Sequence, residues 1–219
     1  MKLAVCLSVF CLLAPCGAWA GHAGDYRLVS EGCSGEMRIA ESVNPDTVMV
    51  SVGTVCGPQA HLCELDACGR VTGDGRVVVE DEGGECRIVL SMEGHVARLE
   101  QEGTCGCGLR AVMSGLYVRT GVPLRCSGSL DGKYPIRMKI RLDGARVEGA
   151  YLYERYGKSL RLQGTVENHG LMMEELDENG RPTGTFRGRF VSPSRVEGTW
   201  SRPDGSKAMP FVLNLTRGS

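Results

Sequence analysis

The side chains that could do chemistry in this sequence are cysteines, a few histidines and two runs of carboxylates. Among the 11 cysteines, Cys63-x4-Cys68 and Cys105-x-Cys107 lie close enough in sequence to share a metal ion, with His61 and His95 as added nitrogen ligands. Structural zinc sites, however, pair two CxxC-type spacings, and no CxxC occurs in the chain. No metal or cofactor is therefore expected. Nucleophilic catalysis would need a Ser or Cys beside a His and an acid. His22 precedes the first patterned segment, His95 opens one and His169 sits in the turn Asn168-His169-Gly170, which leaves His61, in a cysteine-rich stretch. No Gly-x-Ser-x-Gly elbow accompanies it. The runs Glu80-Asp81-Glu82 and Glu174-Glu175 with Asp177-Glu178 could supply the paired carboxylates of a glycosidase or the ligands of calcium. Both adjoin turn signals, where solvated charge is expected without any function, and neither has EF-hand spacing. These groups point to binding rather than catalysis.

The cysteines say more about compartment. Lys2, the apolar segment 3–13 and Ala18-Trp19-Ala20 before Gly21 have the three-part layout of a secretory leader, so residues 1–20 are set apart from the fold. Removing Cys6, Cys11 and Cys16 takes 11 cysteines to 8: Cys33, Cys56, Cys63, Cys68, Cys86, Cys105, Cys107 and Cys126. In an exported chain such an even set reads as disulfides, with too many possible pairings for spacing to choose among. The expected location is periplasmic or secreted. No later segment approaches the roughly 20 apolar residues of a membrane-crossing helix. Without Lys2 the chain has 24 Lys+Arg against 26 Asp+Glu, a formal charge of −2, which argues against a nucleic-acid partner. Arg137, Lys139 and Arg141 alternate along one segment and read as the solvated side of a half-buried strand.

These residues must be positioned by strands. With 31 glycines and apolar residues recurring at every second position, the chain reads as antiparallel β throughout. A Gly-x-aromatic triplet recurs at Gly115-Leu116-Tyr117, Gly149-Ala150-Tyr151, Gly184-Thr185-Phe186, Gly188-Arg189-Phe190 and Gly198-Thr199-Trp200. Residues two apart share a strand face, so each glycine leaves a gap that a cross-strand ring can cover. The spacing predicts strands at 25–30, 35–41, 47–54, 76–80, 85–92 and 95–101, a stapled loop over 56–68 with one short strand, and a strand over 109–119. Seven more follow at 136–142, 146–154, 158–166, 170–177, 183–191, 195–201 and 207–215, with turn chemistry such as Asp143-Gly144 and Asn179-Gly180 between them. The fold class is all-β, with two antiparallel meander or barrel-like modules: a disulfide-stapled one at 21–128 and a cysteine-free one at 129–219. In the second, Tyr151, Tyr153, Met173, Phe186, Phe190, Trp200, Met209 and Phe211 either fill a core or line a small-ligand cavity.

With its scattered cysteines and its closing Ser114-Gly115-Leu116-Tyr117, the first module resembles the periplasmic lysozyme inhibitors of bacteria. The resemblance implies a small β-barrel. It also implies that a Ser-Gly-x-x-Tyr segment enters the lysozyme cleft, although here the tyrosine falls one position early. The second module, through Gly149 to Tyr153 and Gly198-Thr199-Trp200, looks like an uncharacterised β-domain of bacterial envelope proteins. The expectation is an exported, inhibitor-like binding protein that engages a protein partner of the envelope through disulfide-held loops, with Ser114, Tyr117 and His61 as binding residues. A small-ligand carrier and a hydrolase are the alternatives, and oligomeric state is left open.

Overall fold

Strict alternation builds the walls. In the strand Tyr134–Asp143, Ile136, Met138, Ile140 and Leu142 are buried while Arg137, Lys139 and Arg141 are exposed. That pattern, repeated along the chain, gives sixteen strands in the computed structural model, which describes residues 19–30, 32–80, 83–167 and 170–216. The only helical element among the described residues is one short 3-10 turn at Ala20–His22.

The strands close into two antiparallel eight-stranded barrels, each an up-and-down meander. The first contains β1 (Gly24–Leu28), β2 (Cys33–Glu41), β3 (Thr47–Cys56) and β4 (His61–Val71), then β5 (Val77–Glu80), β6 (Cys86–Glu93), β7 (Val96–Gly103) and β8 (Gly115–Arg119). It closes where Tyr26, Arg27 and Leu28 of β1 pair with Arg119, Val118 and Tyr117 of β8. The second contains β9 (Pro123–Leu130), β10 (Tyr134–Asp143), β11 (Arg146–Tyr153) and β12 (Ser159–Glu167), then β13 (Gly170–Leu176), β14 (Pro182–Ser192), β15 (Arg195–Ser201) and β16 (Ala208–Leu215). Here β9 lies between β10 and β16 and completes the ring. A barrel leaves no sheet edge unpaired, and at eight strands its interior is just wide enough for side chains to fill.

Four sequence expectations change. The module boundary lies at 120–122 rather than 128, because β9 already belongs to the second barrel and carries Cys126 into its core. The stretch 56–68 is a β-hairpin in which β3 and β4 pair continuously from Thr47↔Arg70 to Cys56↔His61. Of 109–119, only β8 is strand. Trp19, assigned to the leader, packs in the first barrel's core and donates its indole Nε1 to Gly75 O at 3.1 Å.

The glycine-aromatic motif works as read at Gly184, Gly188 and Gly198, whereas Gly115 faces Leu28 and Ser30 and Gly149 faces Ile140 and the Lys139 carbonyl. A Cβ on Gly184 would come within 2.3 Å of the Trp200 indole nitrogen, and one on Gly188 within 2.6 Å of the Phe211 ring. The rings lie in space that only glycine leaves, and the β14–β15–β16 wall packs tightly as a result. The second barrel's apolar cluster also takes in Val29, Val96, Leu116 and Val118 of the first, so the two barrels share buried surface.

Candidate functional site

One end of the first barrel gathers almost all the unusual chemistry. It is formed by the starts of β2, β4, β6 and β8, and a loop over 104–114 folds across it. Three disulfides lie there: Cys33–Cys56 ties β2 to β3, Cys63–Cys107 ties β4 to the loop, and Cys86–Cys105 ties β6 to the loop. They span 23, 44 and 19 residues, and closing loops of that length stabilises a fold by about 3–4 kcal/mol each in the chain-entropy account. Cys68 and Cys126 stand outside these bridges, contrary to the reading that all eight cysteines pair. Alternation explains it. Cys68 points outward from β4 with its thiol 3.1 Å from the Met49 sulfur, whereas Cys126 points into the second barrel, where burial pushes its thiol up to about 12.

Hydrogen bonds set the loop's course. Gly108 N donates to Leu62 O at 2.9 Å, so the loop runs beside the start of β4, and Thr54 Oγ1 donates to Val112 O at 2.8 Å. From below, the Gln101 side chain accepts from Met113 N at 2.9 Å, and the Tyr117 hydroxyl donates to Met113 O at 2.7 Å. Cys105, Ala111 and Met113 are buried in the barrel core, which makes the loop a plug. Ala60, Cys105 and Arg110, all on this rim, hold φ of 52°, 48° and 66°. Non-glycine residues adopt that region at a cost of about 1–2 kcal/mol each, so packing and bridges enforce the shape.

Four aliphatic side chains stand exposed on this rim. Val55 and Leu62 are directly opposed across β3 and β4 and are 38% and 56% exposed; Leu109 and Val112 on the loop are 78% and 44% exposed. Contiguous exposed aliphatics on a rigid support are the usual mark of an interaction surface.

The residues expected to bind divide accordingly. Ser114 is exposed on the rim, with its Oγ accepting from Gln101 N at 2.9 Å. His61 opens β4 beside the same loop, 3.0 Å from the Gln59 side chain. Tyr117 is fully buried and points into the barrel, so it supports the loop rather than reaching a partner; burial holds its phenol well above the ordinary range. The two segments expected to act together, around 56–68 and 105–117, are joined by Cys63–Cys107. The four aliphatics escaped sequence reading because an apolar residue in a β-like run looks the same whether it faces in or out.

The carboxylate pair separates. Adjacent strand residues point to opposite faces, so Glu174 is outside near Gln163, while Glu175 is inside and only 5% exposed. Glu175 accepts hydrogen bonds from the Tyr151 hydroxyl, from Thr183 Oγ1 at 2.6 Å and from Trp200 Nε1 at 2.9 Å. Burial and the neighbouring carboxylate push the Tyr151 phenol upward. Around them Tyr151, Met173, Phe186, Trp200, Met209 and Phe211 are buried as core, with Tyr153 and Phe190 partly so. Glu80 pairs with Arg87 at 3.0 Å; Asp81, Glu82 and His169 lie outside the described residues. His61 and Glu175 belong to different barrels. Among the described residues no cluster of three potential metal ligands occurs. No protein-family model, characterised protein or solved structure matches the chain.

Proposed function

We propose that this is an exported binding protein that captures a protein partner on the plugged rim of its first barrel, in the manner of an inhibitor. The observation that carries this reading is the set Val55 and Leu62 on β3 and β4 with Leu109 and Val112 on the neighbouring loop, all exposed, where disulfides anchor the loop at Cys105 and Cys107. A preorganised loop loses less entropy on binding, and apolar anchors at the centre of a rigid surface supply most of the affinity. Three disulfides are consistent with an oxidising compartment, where such a protein would meet an envelope or extracellular partner. The Ser114-Gly115 segment borders the same surface, which makes lysozyme the first partner to offer.

The test compares oxidised protein, reduced protein and a Leu109→Asp/Val112→Asp variant for binding to immobilised lysozyme and to envelope extracts. A partner held by the oxidised wild type and released by both the reduced form and the variant is the expected result. A partner retained equally by all three would place the binding surface elsewhere.

A further inference from the structure

We propose that the outer face of β9–β12 is a binding groove for a linear anionic polysaccharide. It lies on the second barrel, away from the plugged rim, and the proposal stands independently of it. Register brings the cations together: Arg125 of β9 pairs with Lys139 of β10, Lys139 with Ala150 of β11, and Ala150 with Arg161 of β12. Arg137 and Arg141 flank Lys139 on the same face, two residues to either side. Neighbouring strands are about 4.8 Å apart and alternate residues about 6.8 Å, so the five charges cover a patch roughly 14 Å square.

The patch is concave along Arg125, Arg137, Lys139 and Arg141, with Arg161 paired beside the floor residue Ala150. A groove of about 770 Å³ runs between Arg125, Arg137 and Lys139 over Ser127, Ala150 and Ser159. A second hollow of about 450 Å³ continues it past Lys139 and Ala150 to Arg141, which stands directly across the strands from the carboxylate of Glu148. Arg137 is held by Glu154 at 2.6 Å, but among the described residues Arg125, Lys139, Arg141 and Arg161 enter no ion pair. Charge is also divided between the barrels. Residues 24–119 hold 8 Lys+Arg against 15 Asp+Glu, a formal −7, while 123–216 hold 15 against 11, a formal +4. The near-zero total hides an acidic barrel and a basic one.

The chemistry of the groove selects the class of anion. Spaced cations with hydroxyls from Ser127, Ser159 and Thr216 suit a chain bearing both repeated negative groups and hydroxyls. The one ring along the groove, Tyr151, turns into the barrel, so there is no platform for stacking bases. A hollow with small residues at its floor fits a narrow chain better than a flat lipid surface.

The experiment is calorimetric titration of the oxidised two-barrel protein with a size-defined heparin octasaccharide at several salt concentrations. Binding should weaken steeply with salt, and Lys139→Glu/Arg161→Glu should raise Kd at least about tenfold. Arg202→Glu/Lys207→Glu, an equal charge change in the turn before β16, should leave Kd within about twofold. All four side chains are exposed, and circular dichroism checks that each variant folds. Equal losses in both variants would reduce the effect to net charge and overturn the groove, as would wild-type affinity in Lys139→Glu/Arg161→Glu. Preferential binding to phosphatidylglycerol vesicles or to oligo-dT would overturn the polysaccharide assignment. A wild-type dimer that dissolves in Lys139→Glu/Arg161→Glu on sedimentation, without octasaccharide binding, would assign the groove to a second copy's acidic barrel.

Discussion

At the scale of single residues, burial governs the ionisation of the core phenols and of the Cys126 thiol. Tyr26, Tyr117, Tyr151 and Cys126 are held protonated beyond their ordinary range chiefly by desolvation, Tyr26 and Cys126 to about 12. Because these folded values lie above the unfolded ones of 10.0 for phenol and 9.0 for thiol, their contribution to stability is complete below the unfolded values and is lost as pH rises through the folded ones. Urea unfolding should accordingly show stability level up to about pH 9 and falling between about pH 9 and 12, with much of the phenolate absorbance appearing together with unfolding. A flat stability profile across that window would contradict the burial. His22 runs the other way: burial, then Arg119, lowers its pKa, so what it contributes is complete above 6.5 and declines in acid.

At the scale of elements, the walls depend on where side chains are missing. Gly188→Ala would drive a methyl into the Phe211 ring and the Glu197 carbonyl and should destabilise the protein by about 1–3 kcal/mol. Gly53→Ala, on the open outer face of β3, should change stability by no more than about 0.5 kcal/mol. Chemical denaturation of the two variants side by side checks this, and equal losses would remove the ring-over-glycine account. The 104–114 loop is an element of another kind. Its backbone has no ladder to sit in, so bridges, Gln101, Tyr117 and Thr54 hold it, while Leu109 and Val112 are left facing solvent.

At the scale of the whole molecule, the barrels are joined by Val29, Val96, Leu116 and Val118, which face outward from the first and are buried in the second's apolar cluster. Val118→Asp would place a charge in that seam. Calorimetry should show one cooperative transition for the wild type and, for the variant, a lower Tm with two separated transitions; two transitions already present in the wild type would mean that the seam carries little coupling. Much of this architecture was legible in the sequence. The alternation of β10 through β16 and their turn residues foretold seven strands to within a residue or two, because the period of a half-buried strand is local. The disulfide-rich character of the first module was legible from its cysteines, whose even number follows a leader-like segment. Which cysteines pair, which way Tyr117 and Glu175 point, that Pro123–Leu130 closes the second barrel, and that Arg125, Lys139 and Arg161 line up were decided only by the tertiary structure. Each depends on closure and cross-strand register, which bring together residues far apart in the chain, and no pattern within a single strand encodes that.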